Sequence, residues 1–508
     1  MHCVVGGTCV PCATKCLFRW DNRGCESVSI VRLKGTCRVK IVAKNRGGVV
    51  LGRDDPSVTG RAGVVLVAEV ERVLGVSGVF DSGVAEIRGK GSGYSAGGLL
   101  LATAEAMLCG ADFMADLDDV RADVAAARLR AVPTPSACWF AVLARRFDDD
   151  RITQVEVAMG ALVARWWDTL SGSRRAEIAA GRVTIDLDTT DVEVYGQKKR
   201  GVSYNYLGQL VGRVHAGTWA EAGVVLAGQL GSGADDPRPQ AAGVLARALA
   251  ALPEGLARPV VRADAGYHDV KVALAAVALG CDYAVAVKRN QAVWAAELRI
   301  PPDAWQPAIG MTGAEVAVWD YTPAGWPAGT RCVARRVPIR GAMPTKRSRR
   351  RRTIPGRQLL LGLLGLGPAW AYSFILTNLA DPAEEIEAWF RERARIEERF
   401  KDAKLGMPLR HLPSGYEETN RVWMWSALLA LNLSVFTQSL ARVDNHPGHA
   451  EQRQRAHGKR LRRELICIPA RIITHARATI IRPAPTIRFG PFPTALANLQ
   501  TLPTWKPG

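Results

Sequence analysis

Long apolar runs are missing from this chain of 508 residues. Residues 359–366 are broken by Gly362 and Gly365 and followed by Pro368, and residues 426–436 are interrupted by Asn432. A bilayer span needs about 20 consecutive apolar residues, so no membrane role is expected. The first residues carry no basic region, and Gly and Cys punctuate their apolar stretch, so a secretory signal is not expected either and a cytoplasmic location is. Cysteine is sparse beyond residue 40. Six of the 11 cysteines precede it (Cys3, Cys9, Cys12, Cys16, Cys25 and Cys37), and Cys109, Cys138, Cys281, Cys332 and Cys467 are scattered among apolar neighbours as reduced core thiols. Cys9, Cys12 and Cys16 have a spacing that can ligate zinc, but no second pair with ribbon or finger spacing follows. Residues 1–48 also lack a sustained period or a helix cap. They are read as a poorly ordered extension whose start is wrongly assigned. No internal repeat is present, which excludes an array of stacked units. Acidic charge is in deficit: 67 Lys and Arg face 48 Asp and Glu, a net +19. Such a surplus points to a polyanion partner, with nucleic acid ahead of an anionic membrane surface.

What is present is globular, with 48% hydrophobic and 23% charged residues, enough for roughly two to four domains. From Asp55-Pro56 onward apolar residues recur at helical spacing over 61–74, ended by Gly75, and again over 97–108, 116–131, 136–147 and 152–170. Thr134-Pro135-Ser136 supplies the expected N-cap chemistry of the fourth helix. The pair 116–131 and 136–147, ending in Arg145-Arg146, can be a helix-turn-helix, although such pairs are more often structural. At Val183 the period changes to alternation. Strands are expected over 183–188, 191–195, 202–206, 215–219 and 224–230, then strand 260–264, helix 269–279 and strand 283–287, after a helix over 235–251. Strands in series followed by strand–helix–strand alternation imply a mixed sheet with helices packed on it. Residues 315–321 and 330–339 are further strands among Pro and Gly turns. A basic run follows (Lys346, Arg347, Arg349 and Arg350 among its members), then a strand over 372–379 and an apolar helix over 421–440.

The chemistry gathers at three carboxylates. Asp188 and Asp264 each end a short apolar strand, where a buried carboxylate needs a cation or hydrogen bonds; the ordinary alternative is an Asp that caps the next turn. Residues 389–404 contain no Pro or Gly and read as one helix. Phe390, Arg393, Glu397 and Lys404 fall within an arc of about 60° and Glu398 points about 100° away. A charged face usually meets water, but Ile396 and Phe400 require this helix to be half buried. If it crosses the sheet, Asp188, Asp264 and Glu397 converge as three carboxylates able to hold two Mg²⁺ ions.

These motifs resemble those of bacterial DDE transposases. Phe390-x2-Arg393-x3-Glu397-x6-Lys404 is similar to the Y-x2-R-x3-E-x6-K signature of the insertion-sequence 4 superfamily, with Phe in the leading position. The segments beginning at Asp188-Thr189-Thr190-Asp191 and at Arg262-Ala263-Asp264 resemble the aspartate motifs of its insertion-sequence 1380 family, as do residues 371–378 and 409–415. The resemblance implies a mixed α/β ribonuclease-H-like catalytic core (181–300 and 371–442) with a mostly β insertion carrying the basic loop (301–370). An all-helical N-terminal DNA-binding domain (49–180) precedes it and a basic C-terminal region (443–508) follows. It implies Asp188, Asp264 and Glu397 as catalytic metal ligands for two Mg²⁺, with Mn²⁺ able to substitute, and Arg393 and Lys404 beside DNA phosphates. Lys198, Lys199, Arg200, Lys288, Arg289 and the basic run are expected to add phosphate contacts. The implied partners are the terminal inverted repeats and target DNA, met by a homodimer or larger assembly in the bacterial nucleoid. The implied reaction is end cleavage and strand transfer. A nuclease of the same fold without strand transfer, or a catalytically idle DNA-binding derivative, are the alternatives.

Overall fold

The computed structural model describes residues 54–88, 93–319, 321–339, 353–356, 358, 369–443 and 457–506, together with five short strands before residue 51. It divides into two compact units, Met1–Pro56 and Ser57–Gly508. In the first, Cys3–Val5 pairs with Thr8–Val10, and Val28–Leu33, Thr36–Ile41 and Val49–Val50 form an antiparallel ladder. The β-branched residues Val28, Ile30 and Val31 favour this extended backbone.

The second unit is built on a ten-stranded sheet. Its strands are β1 (Val183–Glu193), β2 (Ser203–Tyr204), β3 (Leu210–Trp219), β4 (Val224–Ser232), β5 (Pro259–Ala263), β6 (Asp282–Ala286), β7 (Gln306–Pro307), β8 (Glu315–Trp319), β9 (Arg331–Pro338) and β10 (Trp370–Thr377). Their order is β4-β3-β1-β5-β6-β10-β9-β8-β7, with β2 beside β3. The first three neighbours are antiparallel, and β1, β5 and β6 run parallel through helical crossovers. This is the mixed α/β layout expected. β1 is one strand and not the two expected with a break before Asp191, because Asp191 is held in the ladder by Arg213 opposite it (2.7 Å) and by Asn205 (2.9 Å). The strands of the 301–370 insertion continue the same sheet beyond β10.

Helices Pro237–Ala250 and Val270–Ala278 cover one face. Gly217 permits that approach, since a Cβ there would sit 3.0 Å from the Ala248 methyl. The other face meets Ala383–Arg391, Ala394–Leu405 and Glu417–Leu440; Gly228 on β4 lies against Leu428 and Trp425. Every residue from Thr419 to Leu440 except Arg421 is buried.

Most of the helices expected over 61–170 form, and Val76–Gly83 is a further one. Val65–Leu74 ends at Gly75, whose φ of 59° is the left-handed conformation that Gly adopts without strain. Ser136 caps Ala137–Ala144 as expected, and Asp148 caps Asp149–Thr169. The helix expected over 116–131 is instead Asp116–Ala122 and Val124–Ala127. Asp123 breaks it, accepting from Ala126 N (2.9 Å) and from the Thr59 hydroxyl (2.6 Å). These helices share one hydrophobic core with the sheet, running from Ala62 to Leu499. The chain's later part folds back on the earlier: Ala470–His475 pairs with both Val58–Thr59 and Ala478–Pro483, and Pro491–Gln500 packs on Val65–Leu74. Among the described residues no helix is long and apolar enough to cross a membrane.

Candidate active site

Two adjacent parallel strands carry the aspartates. Arg262 on β5 is the direct partner of Asp186 on β1. Side chains two residues on share the same face, so Asp188 and Asp264 follow as the next row. Asp264 leaves the sheet there, its Oδ1 accepting from Gly266 N at 2.7 Å and capping the turn Ala265–Tyr267. Asp188 Oδ1 accepts from Thr189 N at 2.8 Å. Burial first, and then the Asp264 carboxylate, push the Asp188 carboxyl up to about 7, against the pull of Arg393.

Across this row lie two helices where one was expected. Ala383–Arg391 and Ala394–Leu405 are separated at Glu392 and Arg393. The N–H groups of these two residues reach back only three positions, to the carbonyls of Trp389 and Phe390 (both 3.1 Å), which tightens the turn. A tertiary contact sits at the break. Arg262 holds Asp186 through two bonds, Nε to Oδ1 (2.7 Å) and Nη2 to Oδ2 (2.9 Å), and its Nη1 donates to the Trp389 carbonyl. The Trp389 ring lies 4.9 Å from this guanidinium, and its Nε1 donates to the Thr184 hydroxyl at 3.1 Å. Asp186 and Arg262 are each 1% exposed.

The expected charged face is present in part. Arg393 bridges the site, with Nη1 3.3 Å from Asp188 Oδ2 and Nη2 3.2 Å from Glu397 Oε1. Glu398 is exposed, as its register requires, and Ile396 and Phe400 are buried. Lys404 is half-buried, and its Nζ donates to the Asp191 carbonyl at 2.6 Å, tying the helix to β1. Burial lowers its pKa. Phe390 packs half-buried on the core formed by Ile386, Val316 and Ile375.

The donor set suits a hard divalent cation, since all three side chains offer carboxylate oxygens. Among the described residues, however, no three such groups gather closely enough to hold a metal. The expected convergence stops short at Glu397, whose side chain is 66% exposed and paired with the Arg393 guanidinium. That guanidinium already places a positive charge between Asp188 and Glu397, and the donor chemistry of the three carboxylates fits a divalent cation in kind.

The raised Asp188 carboxyl gives a signed prediction. It ionises near 7 in the fold and at about its ordinary 3.8 when unfolded, so the folded state holds the extra proton between those values. Its ionisation costs stability as pH rises from 3.8 toward 7, and the cost is complete above 7. Asp188→Asn should therefore raise the Tm of the metal-free protein by about a few degrees at pH 8 and leave it nearly unchanged at pH 4. Added Mg²⁺ should stabilise the wild type and not the variant. Thermal scans in chelator at both pH values measure this; a gain confined to pH 4 would contradict it.

The other expected DNA contacts divide. Lys198 and Arg200 are exposed, and Arg200 lies over the Tyr416 ring at 5.6 Å. Lys199 turns inward to the Leu412 carbonyl and is a structural bond. Lys288 and Arg289 are both exposed, and Arg289 also donates to the Tyr372 carbonyl at 3.2 Å. Lys346, Arg347, Arg349 and Arg350 lie outside the described residues. Sequence reading passed over Asp186, Arg262 and Trp389. One signal was available: charges of opposite sign, Asp186 and Arg262, stand two positions before the two candidate aspartates.

The profile of the family described as Transposase DDE domain group 1 matches residues 41–347 and 361–504. No curated protein matches the chain. Among solved structures, the cryo-EM structure of the piggyBac transposase synaptic complex with hairpin DNA is similar, at 9% identity and a TM-score of 0.38, over 79% of this chain and 80% of that one. With the family profile covering most of its length, the chain belongs to the DDE transposases.

Proposed function

We propose that this transposase, of the insertion-sequence 1380 type, cuts DNA at the ends of its own mobile element and joins the freed 3′-OH to target DNA. The observation that carries the reading is the row of Asp188 and Asp264 on adjacent parallel strands, with Glu397 joined to Asp188 through Arg393. Asp188, Asp264 and Glu397 would hold two Mg²⁺, or Mn²⁺. When bound, the ions would supply Lewis-acid activation of the attacking oxygen and countercharge for the leaving one. The backbone of β1 keeps Asp188 oriented through Thr189 N. Arg393, once released from the carboxylates, is placed to meet the phosphate of the scissile strand. Exposed Lys198 and Arg200 add sequence-independent affinity. Assembly as a dimer or larger on DNA belongs to the same reading.

The test is cleavage of a labelled inverted-repeat end with Mg²⁺ and with Ca²⁺, in the presence of supercoiled target. Cleavage with Mg²⁺ followed by transfer of label to the plasmid supports the proposal. Cleavage without transfer assigns a nuclease of the same fold, and specific binding without cleavage assigns an idle derivative.

The basic turn yields a quantitative expectation. Lys198→Gln and Arg200→Gln should each lower the slope of log K against log salt by about 0.9 and weaken specific and random duplex alike. Lys199→Gln should instead lower stability with little change in slope, because its ammonium is committed to the Leu412 carbonyl. Filter binding across a salt series distinguishes them; a loss confined to inverted-repeat DNA would show base reading at this turn.

A further inference from the structure

We propose that Arg262 is a positioning residue that sets the register of the Glu397 helix against both aspartates. The inference rests on the metal-site reading above and extends it to a side chain that touches neither metal nor DNA.

Three features meet at this one guanidinium. It stands two residues before Asp264 on β5. It is bonded at 2.7 and 2.9 Å to Asp186, which stands two residues before Asp188 on β1. Its remaining nitrogen donates to the Trp389 carbonyl, in the last turn of Ala383–Arg391 and immediately before the break that redirects the chain into Ala394–Leu405. The planar fork of Arg holds all of these bonds in fixed directions, which the single ammonium of Lys cannot do. A cation at a helix C-terminus also meets the negative end of the helix dipole. Trp389 is held a second time, through its Nε1 to the hydroxyl of Thr184, which lies two residues before Asp186 on β1. Glu397 follows in the first turn of the second helix, so its placement depends on where the break is pinned.

A residue of this kind does more than hold the fold. Replacing a buried ion pair with apolar residues of similar volume often leaves stability unchanged or raised. The bond to the Trp389 carbonyl, in contrast, is lost with the guanidinium, and an apolar side chain cannot replace it. Stability and metal binding should therefore come apart.

The experiment uses the full chain carrying Asp186→Leu together with Arg262→Met, and separately Arg262→Lys. Ca²⁺ binding is measured by calorimetry in the presence of inverted-repeat duplex, alongside thermal unfolding, duplex affinity and Mn²⁺-dependent cleavage. The apolar double variant should unfold within a few degrees of the wild type and bind duplex within about twofold. Its Ca²⁺ dissociation constant should rise about 10–100-fold, the range for outer partners of metal ligands. Its cleavage should recover in part at high Mn²⁺. Arg262→Lys should show the same separation, and serves if the double variant does not fold. Trp389→Phe, which loses the bond to Thr184 and keeps the carbonyl that Arg262 grips, should keep near-normal Ca²⁺ affinity. Folded Arg262 variants with unchanged Ca²⁺ affinity and cleavage lost only in step with stability would overturn the positioning role alone. A wild type that takes up no Ca²⁺ would overturn the metal-site reading, and this inference with it.

Discussion

Glu397→Gln should stop Mg²⁺-dependent end cleavage while leaving folding and DNA binding nearly intact, and Glu398→Gln should not. The two residues are adjacent and chemically alike. Only Glu397 lies on the side of the helix that meets β1, where Arg393 joins it to Asp188. Glutamine preserves size and hydrogen bonding and removes the charge that a divalent ion requires. The expected loss is on the order of 10³-fold or more, comparable to removing a principal stabiliser of transition-state charge. Glu398 is exposed, so its substitution should cost no more than a surface ion pair, about 0–1 kcal/mol of stability. Asp188→Asn and Asp264→Asn serve as controls with the same expected loss. A dead Glu398→Gln beside an active Glu397→Gln would undo the assignment of the site.

Arg393→Gln should move metal binding and catalysis in opposite directions. The Arg393 guanidinium lies 3.3 Å from Asp188 and 3.2 Å from Glu397, so an incoming cation must displace it. Removing one positive charge at such a distance is worth about 1–4 kcal/mol at the effective dielectric of a surface site. Ca²⁺ affinity without DNA should therefore rise about tenfold or more. The measurement belongs at pH 9, because Asp188 is pushed up to about 7 with Arg393 present and losing that guanidinium raises it further, so that proton competition would otherwise offset the gain. Cleavage should nevertheless fall about 10²-fold, because the same guanidinium is lost to the scissile phosphate. In the wild type, duplex should tighten Ca²⁺ binding by drawing Arg393 away, and in the variant that linkage should disappear. Weaker Ca²⁺ binding by the variant without DNA would show that Arg393 supports the carboxylates and does not compete for them.

Part of this pattern was legible because it is local. Alternation marked a strand through Asp188 and another leading to Asp264, although β1 runs on past Asp188 to Glu193, and helical spacing separated Glu397 from Glu398. What escaped the sequence is tertiary. The break at Glu392 and Arg393 has no Pro or Gly to announce it; it coincides with a bond from Arg262, 127 residues away in sequence. Lys404 and Lys199 carry the same charge as their exposed neighbours, and only the fold reveals that each is committed to a backbone carbonyl. Asp191 was expected to follow a turn, yet Arg213 across the ladder keeps it in the strand. Helical periodicity over 116–131 was real, but a single hydroxyl from Thr59 helps Asp123 divide it.

The pairing of Val58–Thr59 with Ala470–His475 has a consequence for synthesis. Arg72 likewise bonds to the Leu502 carbonyl, 430 residues later. At about 5–20 residues per second, on the order of 20–90 s separates the emergence of these partners from the ribosome. Throughout that interval the apolar faces of Val65–Leu74 and Ala96–Leu108 await Pro491–Gln500 and Glu417–Leu440, and chaperones would have to shield them. This core cannot close until Pro491–Gln500 has emerged to pack on Val65–Leu74.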